Sequence, residues 1–229
     1  MNKTTSPLIV AAALLAGCGG SGGGDECAPG AFCDITQDLA DTLSKAGLDD
    51  APDTSGAVGA APTSSITDFE DLPTTGDANY SGQLALQIAE GELIVGNTDI
   101  TVVFSDTGGS LSGDASGFVG ETTGGYTGGL TISEGVIYRG SETFLSAVQT
   151  AVGDDADVAD ETDTNENVAG IVADVSGTLT ASNANETTLD GSLIGAFSGE
   201  NADIVGLTVG TAVSDDSAGE FAGVLIAVD

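Results

Sequence analysis

The chain has 229 residues, 36 Asp and Glu against 3 Lys and Arg, no His and no Trp, and a formal net charge of −33. Without His there is no Ser-His-Asp or Cys-His catalysis and no His-ligated zinc. With so few cations there is no basic face for nucleic acid or anionic lipid, and Arg-clamped phosphate chemistry has almost nothing to work with.

The first elements are processing signals. Lys3 precedes an apolar run at 8–16 (LIVAAALLA), too short to span a bilayer as a helix and suited to the h-region of a secretory signal. The run ends in Leu15-Ala16-Gly17-Cys18, which resembles a bacterial lipobox. The resemblance implies cleavage after residue 17, so that 1–17 is a signal peptide, and acylation of Cys18. Acyl chains anchor stably in pairs or threes, each buried methylene adding about 0.8 kcal/mol. Gly19, where a retained lipoprotein would carry Asp, implies outer-membrane delivery by analogy with enterobacterial sorting. Residues 19–24 (GGSGGG) form a flexible tether with a root-mean-square span of about 13 Å. Once Cys18 is acylated, Cys27 and Cys33 remain as a C-x5-C pair in the 18–33 segment. Outside the cytoplasm a disulfide is expected. A metal site is disfavoured, because no other Cys or His completes one.

Residues 34–47 read as an amphipathic helix. Ile35, Leu39 and Leu43 recur at i, i+4, i+8, Asp34 is placed to cap the start, Gln37 follows three later, and Gly47 stops it. Its stripe must dock, either on the main domain or on a partner. Residues 48–77, rich in Asp, Ala, Gly, Ser, Thr and Pro, read as a linker with at most a short strand near 65–69.

From residue 78 the apolar period becomes two. Tyr80, Gly82, Leu84, Leu86 and Ile88 alternate with Ser81, Gln83, Ala85 and Gln87, as in a half-buried strand. Further strands are expected at 92–95 and 98–104 around a Gly96-Asn97 turn, then at 111–119, 126–132, 136–139, 168–180, 188–197, 204–209 and 220–228. Gly108-Gly109 and Gly124-Gly125 read as hairpin turns, since no Lys-Ser/Thr follows to make a phosphate loop. Gly113, Gly117, Gly191 and Gly195 fall inside strands, where Gly marks bends, bulges or barrel corners. A helix at 141–152 (SETFLSAVQTAV) and an acidic loop at 153–167 interrupt the sheet. The fold class is mainly β: a small antiparallel barrel of about eight strands over 78–229, preceded by the lipobox signal, the Gly-rich tether and the short helix.

Residues 191–199 (GSLIGAFSG), 201–206 (NADIVG), 219–224 (GEFAGV) and 79–82 (NYSG) resemble the glycine-based strand signatures of transferrin-binding-protein-like surface lipoproteins, a group whose barrels are related to that of factor-H-binding protein. The resemblance covers about 79–229, most clearly 188–229. It implies a lipid-anchored, non-catalytic binding barrel of Gram-negative bacteria. The chain is much shorter than a two-lobed transferrin receptor component and lacks its aromatic and basic loops, so transferrin capture is not implied.

Candidate chemistry is sparse. No spacing singles out a pair of carboxylates for acid–base work, and the chain is read as a non-enzyme. Asp155, Asp157, Asp163 and Glu166 occupy positions one, three, nine and twelve of an EF-hand-length loop. Ala159 and Asp160 stand at positions five and six, so the sharp Gly turn is missing and only weak calcium binding is expected. No other cofactor is implied. Arg139 is expected to make a structural salt bridge, and Tyr80, Phe104, Phe118, Tyr126, Tyr138, Phe197 and Phe221 to fill the core. The sequence therefore predicts an outer-membrane lipoprotein held by its lipid, which binds a protein or a small solute, with a structural envelope protein as the alternative. A wide apolar barrel mouth would favour a solute carrier. An interior packed with Phe and Leu would favour contact through the outside or a structural role.

Overall fold

The computed structural model describes residues 32–45, 67–88, 92–152, 169–198, 202–214 and 217–228. Eight strands form one closed antiparallel barrel in sequence order: β1 Gly76–Gln87, β2 Leu93–Ser105, β3 Gly108–Gly120, β4 Gly124–Arg139, β5 Ala169–Ala181, β6 Glu186–Ser198, β7 Asp203–Ser214 and β8 Ser217–Val228. Helix α1, Phe32–Lys45, precedes the barrel, and α2, Ser141–Val152, lies between β4 and β5.

The alternation that makes the strands also sorts the two faces. Leu84, Leu86, Ile100, Val102, Leu130, Ile132, Ile171, Val175, Leu189, Leu193, Phe197 and Leu225 point inward into one cluster. Outward lie both polar and apolar residues, with Val103, Val136 and Val213 among the exposed ones. Register partners Ser81, Asp99, Asp114, Thr131, Ser176, Asp190, Thr211 and Glu220, one from each strand, are all exposed.

The stagger fixes the width. Hydrogen-bonded partners lead from Gly76 through Phe104, Gly109, Ile137, Ile171, Gly195, Gly206 and Leu225 back to Leu84, eight residues further along β1. Eight strands with so small a stagger enclose a space that side chains alone can fill. Glycines make the filling fit. A Cβ on Gly96 would stand 2.6 Å from the Phe118 ring, one on Gly210 2.6 Å from the Phe221 ring, and one on Gly206 2.6 Å from Leu193. Each large side chain thus rests on a bare stretch of neighbouring backbone, which is how small and large residues alternate in a narrow barrel.

Several elements differ from the sequence reading. Gly96-Asn97 is no turn: β2 runs straight through it, with a register shift against β3 between Val95 and Asn97. Gly96 is there to admit Phe118, and the order Gly-Asn lacks the Asn-Gly preference of a two-residue turn. The segments expected at 126–132 and 136–139 are one strand, β4, with a bulge between Ser133 and Val136 and Glu134 at φ 53°. Helix α1 starts at Phe32, so Asp34 lies in its first turn instead of capping it, where an acid still suits the positive helix end. Ile35 and Leu39 dock on Ala85, Val95 and Ile226, an apolar patch of the outer wall. Helix α2 spans the residues expected of it. It lies on the outer face, where Gly170 leaves room for the Phe144 ring.

The end of the expected linker belongs to the barrel. Thr67 N donates to the Phe197 carbonyl at 2.8 Å, and a 3-10 turn, Phe69–Asp71, places Phe69 and Leu72 in the main core. They close the barrel end where Tyr80, Phe104 and Phe197 meet with ring centroids 5.9–6.4 Å apart. β1 then begins at Gly76, two residues before the expected start.

Candidate functional site

Tyr80, Phe104, Phe118, Phe197 and Phe221 are all buried in the barrel, as expected of core aromatics. Tyr126 packs against the same cluster from its edge. Tyr138 departs from the expectation. It follows inward-facing Ile137 and is half-exposed on the outer side, because alternation turns it away from the core. Arg139, the only Lys or Arg within the barrel strands, lies 4.9 Å above the Phe69 ring and 3.9 Å from Glu70. The ion pair is exposed and worth little; stacking on the plug is its main contact.

Cys33, in the first turn of α1, is disulfide-bonded. Cys18 and Cys27 lie outside the described residues, as do Asp155, Asp157, Asp163, Glu166 and the signal peptide. Among the described residues no group of three or more His, Cys, Asp or Glu could hold a metal ion, and no helix is long and apolar enough to cross a membrane.

Two polar features stand out on the barrel. The first is at the end away from the plug. Glu92 Oε1 accepts from Thr122 N (3.2 Å), Thr122 Oγ1 (3.0 Å) and Thr123 N (2.7 Å), and Oε2 accepts from Thr123 Oγ1 (2.7 Å) and Tyr126 OH (2.8 Å). Burial alone would raise this carboxyl, but the Thr123, Tyr126 and Thr122 donors outweigh it and hold the group at about 2, against an ordinary 4.5. Burial, with the Glu92 carboxylate as acceptor and neighbour, pushes Tyr126 up to about 12, although the Thr123 hydroxyl acts the other way. This carboxylate is saturated by its own chain, so it is a structural tie between the start of β2 and the β3–β4 turn. No sequence signal points to it, since the partners are thirty and more residues apart.

The second feature is a trough of about 470 Å³ across the outer face of β1–β4. Its floor is the backbone around Tyr80, Ile100, Gly113 and Ile132. One rim is Ser81, Asp99, Asp114 and Thr131, which are successive register partners. The other holds Asn79, Thr101, Ser112 and Ser133. Ser81 Oγ donates to Asp99 Oδ1 (3.1 Å), Thr131 Oγ1 to Asp114 Oδ1 (3.3 Å), and Thr101 Oγ1 to Asn79 Oδ1 (2.9 Å). These are ordinary outward strand residues, and the register between neighbouring strands brings them into one concavity. The arrangement can accept hydrogen bonds and receive positive charge.

The chain thus forms a closed eight-stranded antiparallel barrel with an apolar core and a docked N-terminal helix. Comparison with protein-family models, with characterised proteins and with solved structures returned no match to this chain. An eight-stranded barrel alone does not identify the lipoprotein family that the glycine motifs resemble.

Proposed function

We propose that this protein is a lipid-anchored, non-catalytic interaction module of the outer membrane, of the transferrin-binding-protein-like barrel type, that meets its partner with the outer wall of the barrel. The observation that carries this reading is the packed interior. Phe, Leu and Ile side chains fill the barrel, and Phe69 and Leu72 close one end. A solute carrier needs the opposite, a concave pocket that buries most of its ligand. The resemblance of residues 15–18 to a lipobox and the Gly-rich segment at 19–24 support presentation of the barrel at a membrane surface.

The test is photo-cross-linking on intact cells, with the reactive side chain placed in turn at Thr101, in the trough, and at Thr178, on the β5–β6 wall. Discrete protein adducts that depend on Cys18 support the reading. No adduct from either position contradicts it and favours the second reading, a structural envelope protein. The scarcity of Trp, Tyr and Arg, the residues that dominate binding hot spots, favours that alternative.

A further inference from the structure

We infer that the trough on β1–β4 receives an extended basic peptide segment of a partner protein. The inference rests on the interaction-module reading and names the chemistry of its partner.

The argument begins with Asp99 and Asp114. They stand directly opposite each other on neighbouring strands, both exposed on the outer face. Like charges in that position destabilise a sheet. Each carboxylate takes a hydroxyl on Oδ1, from Ser81 and Thr131 respectively. Both residues line the trough, no Lys or Arg is among its lining residues, and Arg139 is engaged with Phe69 and Glu70. An ammonium or guanidinium group between the two would relieve the repulsion and gain two charge-assisted hydrogen bonds.

The shape sets the rest of the ligand. The trough crosses four strands, three spacings of about 4.8 Å, or about 14 Å in all. An extended chain rises about 3.3 Å per residue, so about four residues fit along it. Asn79, Thr101, Ser112 and Ser133 on the other rim suit a peptide backbone, which needs both donors and acceptors.

Charge also excludes the other occupants. The chain carries −33, so a second copy and the chain's own acidic segments are repelled, as are nucleic acid and anionic lipid. A basic partner is steered towards the same surface, and its encounter rate falls as salt rises.

The experiment measures binding of fluorescent tetralysine to the full chain at about 20 mM and about 150 mM salt, with tetraserine and tetraglutamate as controls. Two double variants remove equal charge: Asp99→Asn/Asp114→Asn in the trough, and Asp190→Asn/Glu220→Gln outside it, on β6 and β8. The trough variant relieves a like-charge contact, so it folds at least as well as the parent, and a thermal melt verifies this. The expected result is that tetralysine alone binds, that the trough variant weakens it at least tenfold, and that the second variant weakens it less than twofold. Equal weakening by both variants reduces the effect to net charge and overturns the proposal, as does absence of tetralysine binding. The cross-linking experiment keeps the two readings apart: adducts from Thr178 but not Thr101 leave the interaction module standing and remove the trough as its site.

Discussion

Replacing Glu92 by Gln tests whether a single carboxylate ties together the barrel end opposite the plug. Five donors converge on it, and its pKa falls from 4.5 to about 2. Taken in full, that shift corresponds to about 3.4 kcal/mol. Glu92 is only half-buried, so water and salt screen part of it, and about 1–2 kcal/mol is expected for Glu92→Gln at pH 7. The folded-state pKa lies below the unfolded one. The stabilisation is therefore fully present above about 4.5 and is lost as the pH falls towards 2. Urea denaturation of parent and variant at pH 7, 4, 3 and 2 reads the difference, in which the titrations common to both proteins cancel. The gap should close progressively below pH 4.5. Equal stability at pH 7, or a gap of 1–2 kcal/mol that persists unchanged to pH 2, would refute the reasoning.

Tyr126 shares the nest, and its raised pKa gives the converse: stability is complete below pH 10 and declines as the pH rises towards 12. An ultraviolet titration should show one phenol ionising near 12 that Tyr126→Phe removes. Gly96→Ala pushes a methyl against the Phe118 ring and should cost about 1–3 kcal/mol in thermal denaturation. Adding Phe118→Leu should recover part of that loss, and strict additivity of the two changes would argue against the contact. Phe69→Ala empties the plug and should cost about 3 kcal/mol, with new binding of a hydrophobic dye at the opened end. Ile35→Asp/Leu39→Asp should release α1 while the barrel keeps its cooperative unfolding, which hydrogen exchange can follow strand by strand.

Much of the barrel was legible in the sequence because its physics is local. Period-two alternation located every strand, and Ser141–Val152 showed its helical spacing within a strand-rich chain. Interior glycines signalled bends and bulges: Gly113 and Gly117 do lie at the register shifts of β3 against β4, whereas Gly191 and Gly195 sit in regular pairing against neighbouring backbone. The misreadings share one cause. Gly96-Asn97 and Ser133–Val136 look like turns locally, yet pairing on both sides carries the strand through them, one as a register shift and the other as a bulge. Phe69 and Leu72 look like stray apolar residues in a polar linker, and only the open end of a closed barrel gives them a place. The trough was illegible for a similar reason. Ser81, Asp99, Asp114 and Thr131 are unremarkable outward positions until the register sets them side by side.

The central claim is that the barrel is filled by its own side chains and works from its outer wall. Native mass spectrometry of the protein purified gently from its own cells tests this most directly. The account predicts the covalent mass of the chain, with or without a bound protein. A small-molecule increment that vanishes on denaturation, and that survives Asp99→Asn/Asp114→Asn, would place a ligand inside the barrel and contradict it.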